Sequence, residues 1–342
     1  MRIGLVITVK NEARLLRQNV LYHLGIGVAR IYIYLDGTTD GSEATVADLQ
    51  QVVVEPSVTP ETYQGQHVLK KFHDQASEHH TARQCLNTYD ALQKCKQDGI
   101  DWLISLDADE LFLTNNMGAE ALTDFFSPYV TEHYDVIQFS VLEVVSRKLS
   151  YNHVMAEETL FKRQKNFSSR LDRLYRKVYN PYTKSCLTTS YWLGHTMGKA
   201  AINVNGDVIP YNVHRYVMQN GKPPKIKVAG HVLHYHLYDF EDFIKKYKNF
   251  KNRADTFLSG NAIEPLKKLW IQLVNDPDYD IEYLKDYYEQ NIHFNTKALS
   301  ALYKTRLFNV LKRRESAVVN ITKPKEVLIN REGQNYFDGI SD

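Results

Sequence analysis

The sequence predicts an α/β fold: a mostly parallel sheet flanked by helices, with a helical extension at the C-terminus. Three observations lead there. Through the first 113 residues, short apolar runs of strand length alternate with runs of helical spacing. Three of the apolar runs end in polar clusters, at Thr8 to Glu12, Asp36 to Ser42 and Asp107 to Glu110. Beyond residue 240 the apolar positions fall three and four apart, as on helices.

Ile3 to Val9 is apolar enough for a buried strand, and Lys10-Asn11-Glu12 closes it. Leu15, Leu16, Val20 and Leu24 then keep helical spacing to Leu24. Ala29 to Leu35 is a second strand, ending on the turn formers Asp36-Gly37-Thr38-Thr39-Asp40-Gly41-Ser42. A helix to Gln50 and a third strand at Val52 to Glu55 are expected next. Residues 56–78 are irregular and polar. Glu78 to Gln97 returns to helix, with Ala82, Leu86, Tyr89 and Leu92 on one face and Arg83 and Gln84 beside it. Trp102 to Leu106 is the strand that delivers Asp107, Asp109 and Glu110. In parallel sheets ligands bind beyond the carboxyl ends of the strands. The shared position of the three polar clusters therefore says more than any one of them.

After Leu113, Tyr134 to Val145 is rich in β-formers and contains Glu143, an acid that reads as part of a solvated face. Arg163, Lys165, Arg170, Arg173, Arg176 and Lys177 make either a solvated face or a phosphate patch. Short strands separated by Gly and Asn turns follow from Thr188 to Tyr216, with Asn205-Gly206 as a hairpin signal. Lys227 to Asp239 carries His231, His234 and His236; on a strand the last two share a face. Helices are expected after Asp239, at Pro265 to Val274, at Ile281 to Gln290 and at Lys297 to Arg314. The last either packs on the domain or lies on an anionic membrane surface. Residues after Glu315 read as a loosely held tail.

Composition narrows the chemistry. A chain of 342 residues with a net charge of +2 has a core of ordinary size and no general affinity for nucleic acid. Cys85, Cys95 and Cys186 have no metal-ligand spacing and are odd in number, so a reducing compartment is expected. No signal peptide and no bilayer-spanning run are expected. Carboxylates as dense as Asp107, Asp109 and Glu110 repel one another and resist burial, and a cation relieves both. Asp107 and Asp109 share one side of an extended chain. Oxygen ligands with coordination positions left open suit Mg²⁺ or Mn²⁺ carrying a diphosphate. The plain alternative is a strand that ends in a solvated acidic turn.

A family resemblance rests on I-T-V-K-N-E at Ile7 to Glu12, Y-L-D-G-T-T-D-G-S at Tyr34 to Ser42, A-R-Q-C-L-N at Ala82 to Asn87 and W-L-I-S-L-D-A-D-E-L-F at Trp102 to Phe112. H-T-M-G-K at His195 to Lys199, Val213-His214 and Leu233 to Tyr235 extend it. The chain resembles family-2-type glycosyltransferases of the GT-A fold, and within them the subgroup with V-K-N-E and D-x-D-E-F motifs. Leu111 departs from the pattern, which has Phe there. The resemblance implies a GT-A domain over residues 1–240, with a Rossmann-like nucleotide-sugar half at 1–113 and an acceptor half at 114–240, before a helical region at 241–342. It implies a nucleotide-sugar donor, a UDP-sugar first, a divalent cation (Mn²⁺ or Mg²⁺), a glycan or glycolipid acceptor, and inversion. Thr8, Asn11 and Glu12 would line the base and ribose pocket, while Asp36 and Arg83 contact the nucleotide. Asp107 would face the ribose and the metal, Asp109 would bind the metal, and His234, with His236 as its rival, would make the later metal or diphosphate contact. Lys199 would neutralise the diphosphate. Glu110 and Glu143 are the candidates for the acceptor's base. The expected location is cytoplasmic, with peripheral contact at the inner membrane. Two other readings compete. An aspartyl-phosphate phosphatase would want Thr or Val where Leu111 stands; a non-catalytic sugar-binding protein would not need the intact acids.

Overall fold

The computed structural model describes residues 1–163, 197–251, 265–303 and 318–333. β1 (Ile3–Val9), β2 (Arg30–Leu35), β3 (Val52–Pro56) and β4 (Trp102–Asp107) pair in parallel in the order β3-β2-β1-β4. The two-residue period of a strand sorts their side chains between two layers. Ile3, Leu5, Ile7 and Val9 cluster with Leu16, Val20 and Leu24 of α1 (Ala13–Gly25). Val6, Tyr32 and Leu103 cluster instead with Ala91, Leu92 and Cys95 of α2 (His80–Gln97). The parallel part of the sheet is therefore covered by a helix on each face, as the near-continuous apolar runs require.

The second half of the sheet is mixed. It contains β5 (Glu110–Leu113), β6 (Val136–Val144), β7 (Leu160–Arg163), β8 (Ala200–Asn203) and, after the β9 (Val208–Asn212) and β10 (Arg215–Met218) pair, β11 (Ile226–His234). β8 runs antiparallel to both β4 and β6. β11 pairs in parallel with β6 and antiparallel with β5. α3 (Leu122–Thr131) packs Phe125 and Phe126 against Phe112 and Trp102. Farther along, α4 (Phe240–Asn249), α5 (Pro265–Asn275) and α6 (Ile281–Asn291) share an aromatic core of Phe243, Tyr247, Trp270 and Tyr288, and α7 (Thr296–Tyr303) follows.

Three expectations change. The helix expected up to Gln50 is a single 3₁₀ stretch, Ser42–Val46. Asn205-Gly206 does not make a hairpin. Both edges of β8 are taken by β4 and β6, so the next strand pairs forward, β9 with β10. The chain after Glu315 is not a loose tail where it is described: β12 (Val318–Asn320) pairs antiparallel with β7, and α8 (Lys323–Glu332) buries Val327 and Leu328 in the cluster that holds Leu15 and Tyr22. Of the helix expected to reach Arg314, residues 304–317 lie outside the described residues, as do Lys165, Arg170, Arg173, Arg176, Lys177 and Cys186 of the earlier expectations. Among the described residues no helix is long and apolar enough to cross a membrane.

Candidate active site

The acidic motif is a hinge between two strands. β4 ends at Asp107 and β5 begins at Glu110, so Ala108 and Asp109 form a turn. The expectation that Asp107 and Asp109 share one side of an extended chain fails for that reason. Three contacts hold the turn. The Glu110 carboxylate accepts the Asp107 N–H at 2.8 Å, the Asp109 carbonyl accepts the Tyr235 N–H at 2.8 Å, and Asn19 of α1 donates to the carbonyls of Ala108 and Glu110 at 3.0 and 2.8 Å. β5 has a strand partner in β11, and α1 supplies further partners for its backbone. Tyr22 donates to the Phe112 carbonyl at 2.8 Å, and the Phe112 N–H donates to Nε2 of His23 at 3.1 Å. Nε2 accepts, so the proton of His23 sits on Nδ1, 2.8 Å from the Asn19 carbonyl. Burial pushes His23 down to about 3, which keeps the ring neutral. Asn19, Tyr22 and His23 were not among the expected site residues.

β11 brings the histidines. It carries one extra residue between Val228 and His231, where Gly230 has φ +69° and a Cβ would sit 3.0 Å from Phe112. A bulge of this kind exchanges the faces of every later side chain. The register that follows sets His234 opposite Glu110 of β5 and opposite Glu143 of β6, and Glu143 opposite Lys162 of β7. Glu143 is only 5% exposed, which corrects its reading as a solvated strand residue.

Asp109, His234 and His236 offer ligand atoms that all lie within 4.8 Å of one another. Nε2 of His234 is 3.5 Å from Oδ2 of Asp109. His236 lies past the end of β11, yet its ring stacks on that of His234 at 5.2 Å and 27°. The same Asp109 oxygen holds Nζ of Lys246, on α4, at 2.6 Å. Burial alone would raise Asp109, but Lys246 and His234 hold it well below the usual carboxylate range. Burial likewise opposes the charge on His234, and Asp109 and Glu143 push it up to about 10. One carboxylate and two imidazoles within reach of one point make a plausible donor set for a divalent cation, with positions left over.

Asp107 stands outside that group. Its carboxylate accepts from Gln84 at 2.5 Å and pairs with Lys199 at 2.8 Å, and Lys199 also lies 3.9 Å from Glu110. Lys199 is 1% exposed; burial opposes its charge, but Asp107 and Glu110 keep its pKa above the usual lysine range. Glycine at 198 lets the chain deliver it, because a Cβ there would fall 1.8 Å from the Phe139 carbonyl oxygen. Burial pushes Glu110 up to about 7, against Lys199 and with help from Asp107.

The residues at the ends of β1 and β2 are tied to each other. Thr8 accepts from Asn87 at 3.0 Å. Asn11 takes a left-handed conformation, φ +57°, and its side chain accepts the Thr39 N–H at 2.8 Å. Asp40 and Ser42 reach back to accept the N–H groups of Ala13 and Glu12, which caps α1 from a distant loop. Arg83 grips Asp36 with two nitrogens, at 2.6 and 2.9 Å. Glu12 leans toward the histidine side, with Lys245 of α4 at 2.6 Å; burial pushes it up to about 7 against that lysine.

No protein-family model matches the chain. It is similar to two proteins of Arabidopsis thaliana described as glycosyltransferase-like. At3g57200 is 23% identical over 242 residues, 66% of this chain and 45% of that protein. At2g41451 is 23% identical over 244 residues, 66% of this chain and 52% of that protein. The chain thus spans about half the length of the curated relatives it matches. Among solved structures, the galactosyltransferase LgtC in complex with donor and acceptor sugar analogues aligns over 66% of this chain and 73% of its own, at 15% identity and a TM-score of 0.31.

Proposed function

We propose that the chain is a metal-dependent glycosyltransferase of GT-A type that moves a sugar from a nucleotide-sugar, with UDP as the first nucleotide to test, to a glycan or glycolipid hydroxyl with inversion. The observation that carries this reading is the Asp109, His234 and His236 group beyond the carboxyl end of β4, where parallel sheets bind ligands. The distant glycosyltransferase-like relatives support it. Two imidazoles in the set favour Mn²⁺ over Mg²⁺, which prefers oxygen throughout. Bound there, the cation would screen the donor's diphosphate and stabilise the charge of the leaving group. Asp107, 40% exposed and steadied by Lys199 and Gln84, offers a fixed carboxylate to the ribose. Lys199 adds the positive charge beneath the diphosphate. Glu110, whose Oε2 accepts the Asp107 N–H and shares Lys199 with Asp107 at the end of β4, is the candidate we assign to take the acceptor's proton. Thr8, Asn11, Glu12, Asp36 and Arg83 shape the nucleotide side through the loops they tie.

The test is release of UDP from a panel of UDP-sugars in Mn²⁺ buffer. Asp109→Ala should lower metal-dependent turnover by ~10²-fold or more, the usual scale for one electrostatic contact at a reacting centre. Near-normal turnover in that variant would remove the metal from the reading. A wild-type chain that leaves every donor intact would remove the transfer.

A further inference from the structure

We infer that Glu143 is a positioning residue for His234: it holds the ring from behind, so that Nε2 is the nitrogen turned toward a cation at Asp109, and Lys162 holds Glu143 in turn. The inference rests on the metal reading of Asp109, His234 and His236 given above, and assigns Glu143 a duty other than the acceptor's base.

Strand register is the starting point. Glu110, His234, Glu143 and Lys162 occupy directly paired positions on β5, β11, β6 and β7, so they form one row across four neighbouring strands. Their signs alternate along the row, and each of the four is no more than 5% exposed. Paired positions on adjacent strands present their side chains to one face. The contacts follow the row. Oε1 of Glu143 lies 3.6 Å from Nδ1 of His234, and Oε2 lies 3.3 Å from Nζ of Lys162. On the far side of the imidazole, Nε2 faces Asp109 at 3.5 Å. The two ring nitrogens are thus divided between two carboxylates, one behind the ring and one in front.

A carboxylate behind a metal-ligating histidine fixes the orientation of the ring and raises the basicity of the nitrogen that binds. Glu143 has the position for this task. A base for an incoming hydroxyl needs an oxygen within reach of the acceptor, and both oxygens of Glu143 already face inward, to His234 and Lys162. The bulge at Gly230 is what makes the row possible. Without its extra residue, the alternation along β11 would turn His234 to the other face of the sheet.

The experiment titrates the full chain with Mn²⁺ alone, without nucleotide, and follows free Mn²⁺ by electron paramagnetic resonance. Removing the group behind a ligating histidine weakens metal binding by ~10- to 100-fold. Glu143→Leu should fall near the upper end. Glu143→Gln should fall near the lower end, because its amide keeps a neutral acceptor oxygen beside Nδ1, where the carboxylate oxygen now lies at 3.6 Å. In turnover assays Glu143→Gln should recover when Mn²⁺ is raised to saturation. Wild-type Mn²⁺ affinity in both variants overturns the inference. So does the signature of a lost base: unchanged Mn²⁺ affinity with turnover still collapsed at saturating Mn²⁺. If Glu143→Leu does not fold, the Glu143→Gln isotherm decides. A wild-type chain that takes up no Mn²⁺ overturns this inference together with the metal site. Tight Mn²⁺ uptake with no donor turned over removes the transferase reading and leaves the role of Glu143 standing.

Discussion

On the β1–β2 side of the strand-end surface, Asp36 is gripped by one cation, Arg83, through two parallel hydrogen bonds. Thr8, Asn11, Asp40 and Ser42 likewise bond amides and N–H groups of the neighbouring helices and loops. On the β4–β11 side the charges are shared. Lys199 serves Asp107 and Glu110, Asp109 draws on Lys246 and His234, and His234 stands between Asp109 and Glu143. A one-to-one pair fixes two segments, here the end of β2 and α2, and removing either member strands the other. A shared arrangement can surrender one partner while each carboxylate keeps some compensation. The first is how a fold is held; the second is what a site needs if a cation and a diphosphate are to enter and leave.

The largest expected effect tests the support beneath the shared side. β5 leans on neutral His23, whose pKa is near 3 in the folded chain against about 6.5 unfolded. Below that unfolded value the open chain takes up a proton that the folded chain refuses. Stability from this group is therefore complete above about pH 6.5 and is lost as the pH falls toward 3. Between pH 6.5 and 5 the wild type should lose about 1.6 kcal/mol more than His23→Gln, which keeps an acceptor and does not titrate. Urea unfolding of both proteins at the two values measures it, and parallel losses would show that His23 does not carry the effect. A cost of similar size is expected on the other side. Arg83→Met strands the Asp36 carboxylate, which is 8% exposed. Because Arg83 is itself a quarter exposed, the loss should be ~1–3 kcal/mol, less than for a fully buried pair. Its Mn²⁺ affinity should stay at the wild-type value. The contrast between the two sides would not survive an Arg83→Met protein that unfolds like the wild type, or one that loses its metal.

These two variants also mark where sequence reading reaches. The parallel strands were legible because burial on both faces leaves near-continuous apolar runs, such as Ile3 to Val9 and Trp102 to Leu106. The location of the site followed from where those runs stop. The partners of the acids were harder to see. Lys245 and Lys246 look like the solvated stripe of an amphipathic helix, and nothing local says that α4 folds back over Glu12 and Asp109. Lys162 sits beside a basic stretch and reads as one more exposed charge, although β7 buries it against Glu143. Asn19 and His23 did leave a trace: polar residues four apart, within a helix whose apolar spacing runs through Leu15, Leu16, Val20 and Leu24. That trace points to a buried polar seam on α1 but not to its partner, because the pairing with β5 spans about 90 residues of sequence. The register of β11 was hidden as well, since a bulge at Gly230 cannot be told from an ordinary strand glycine without the neighbouring strands.

The smallest expected effect concerns Lys246 and has the sharpest sign. Its ammonium lies 2.6 Å from the Asp109 oxygen that also faces His234. A cation arriving at Asp109 must displace this ammonium or bear its repulsion. Lys246→Met should therefore bind Mn²⁺ more tightly, by about threefold to tenfold, even though it removes a favourable contact from the metal-free chain. The two halves of that statement separate in one thermal-melt series. Without metal the variant should melt below the wild type, because Asp109 has lost a partner; with Mn²⁺ the variant should gain the larger upward shift, because binding to the folded state stabilises it by an amount that grows with the logarithm of affinity. An ammonium that serves only to hold α4 in place would give the first result without the second. Equal or weaker Mn²⁺ binding in Lys246→Met would then mean that Asp109 is a paired residue of the same kind as Asp36, and the distinction between the two sides of the surface would be gone.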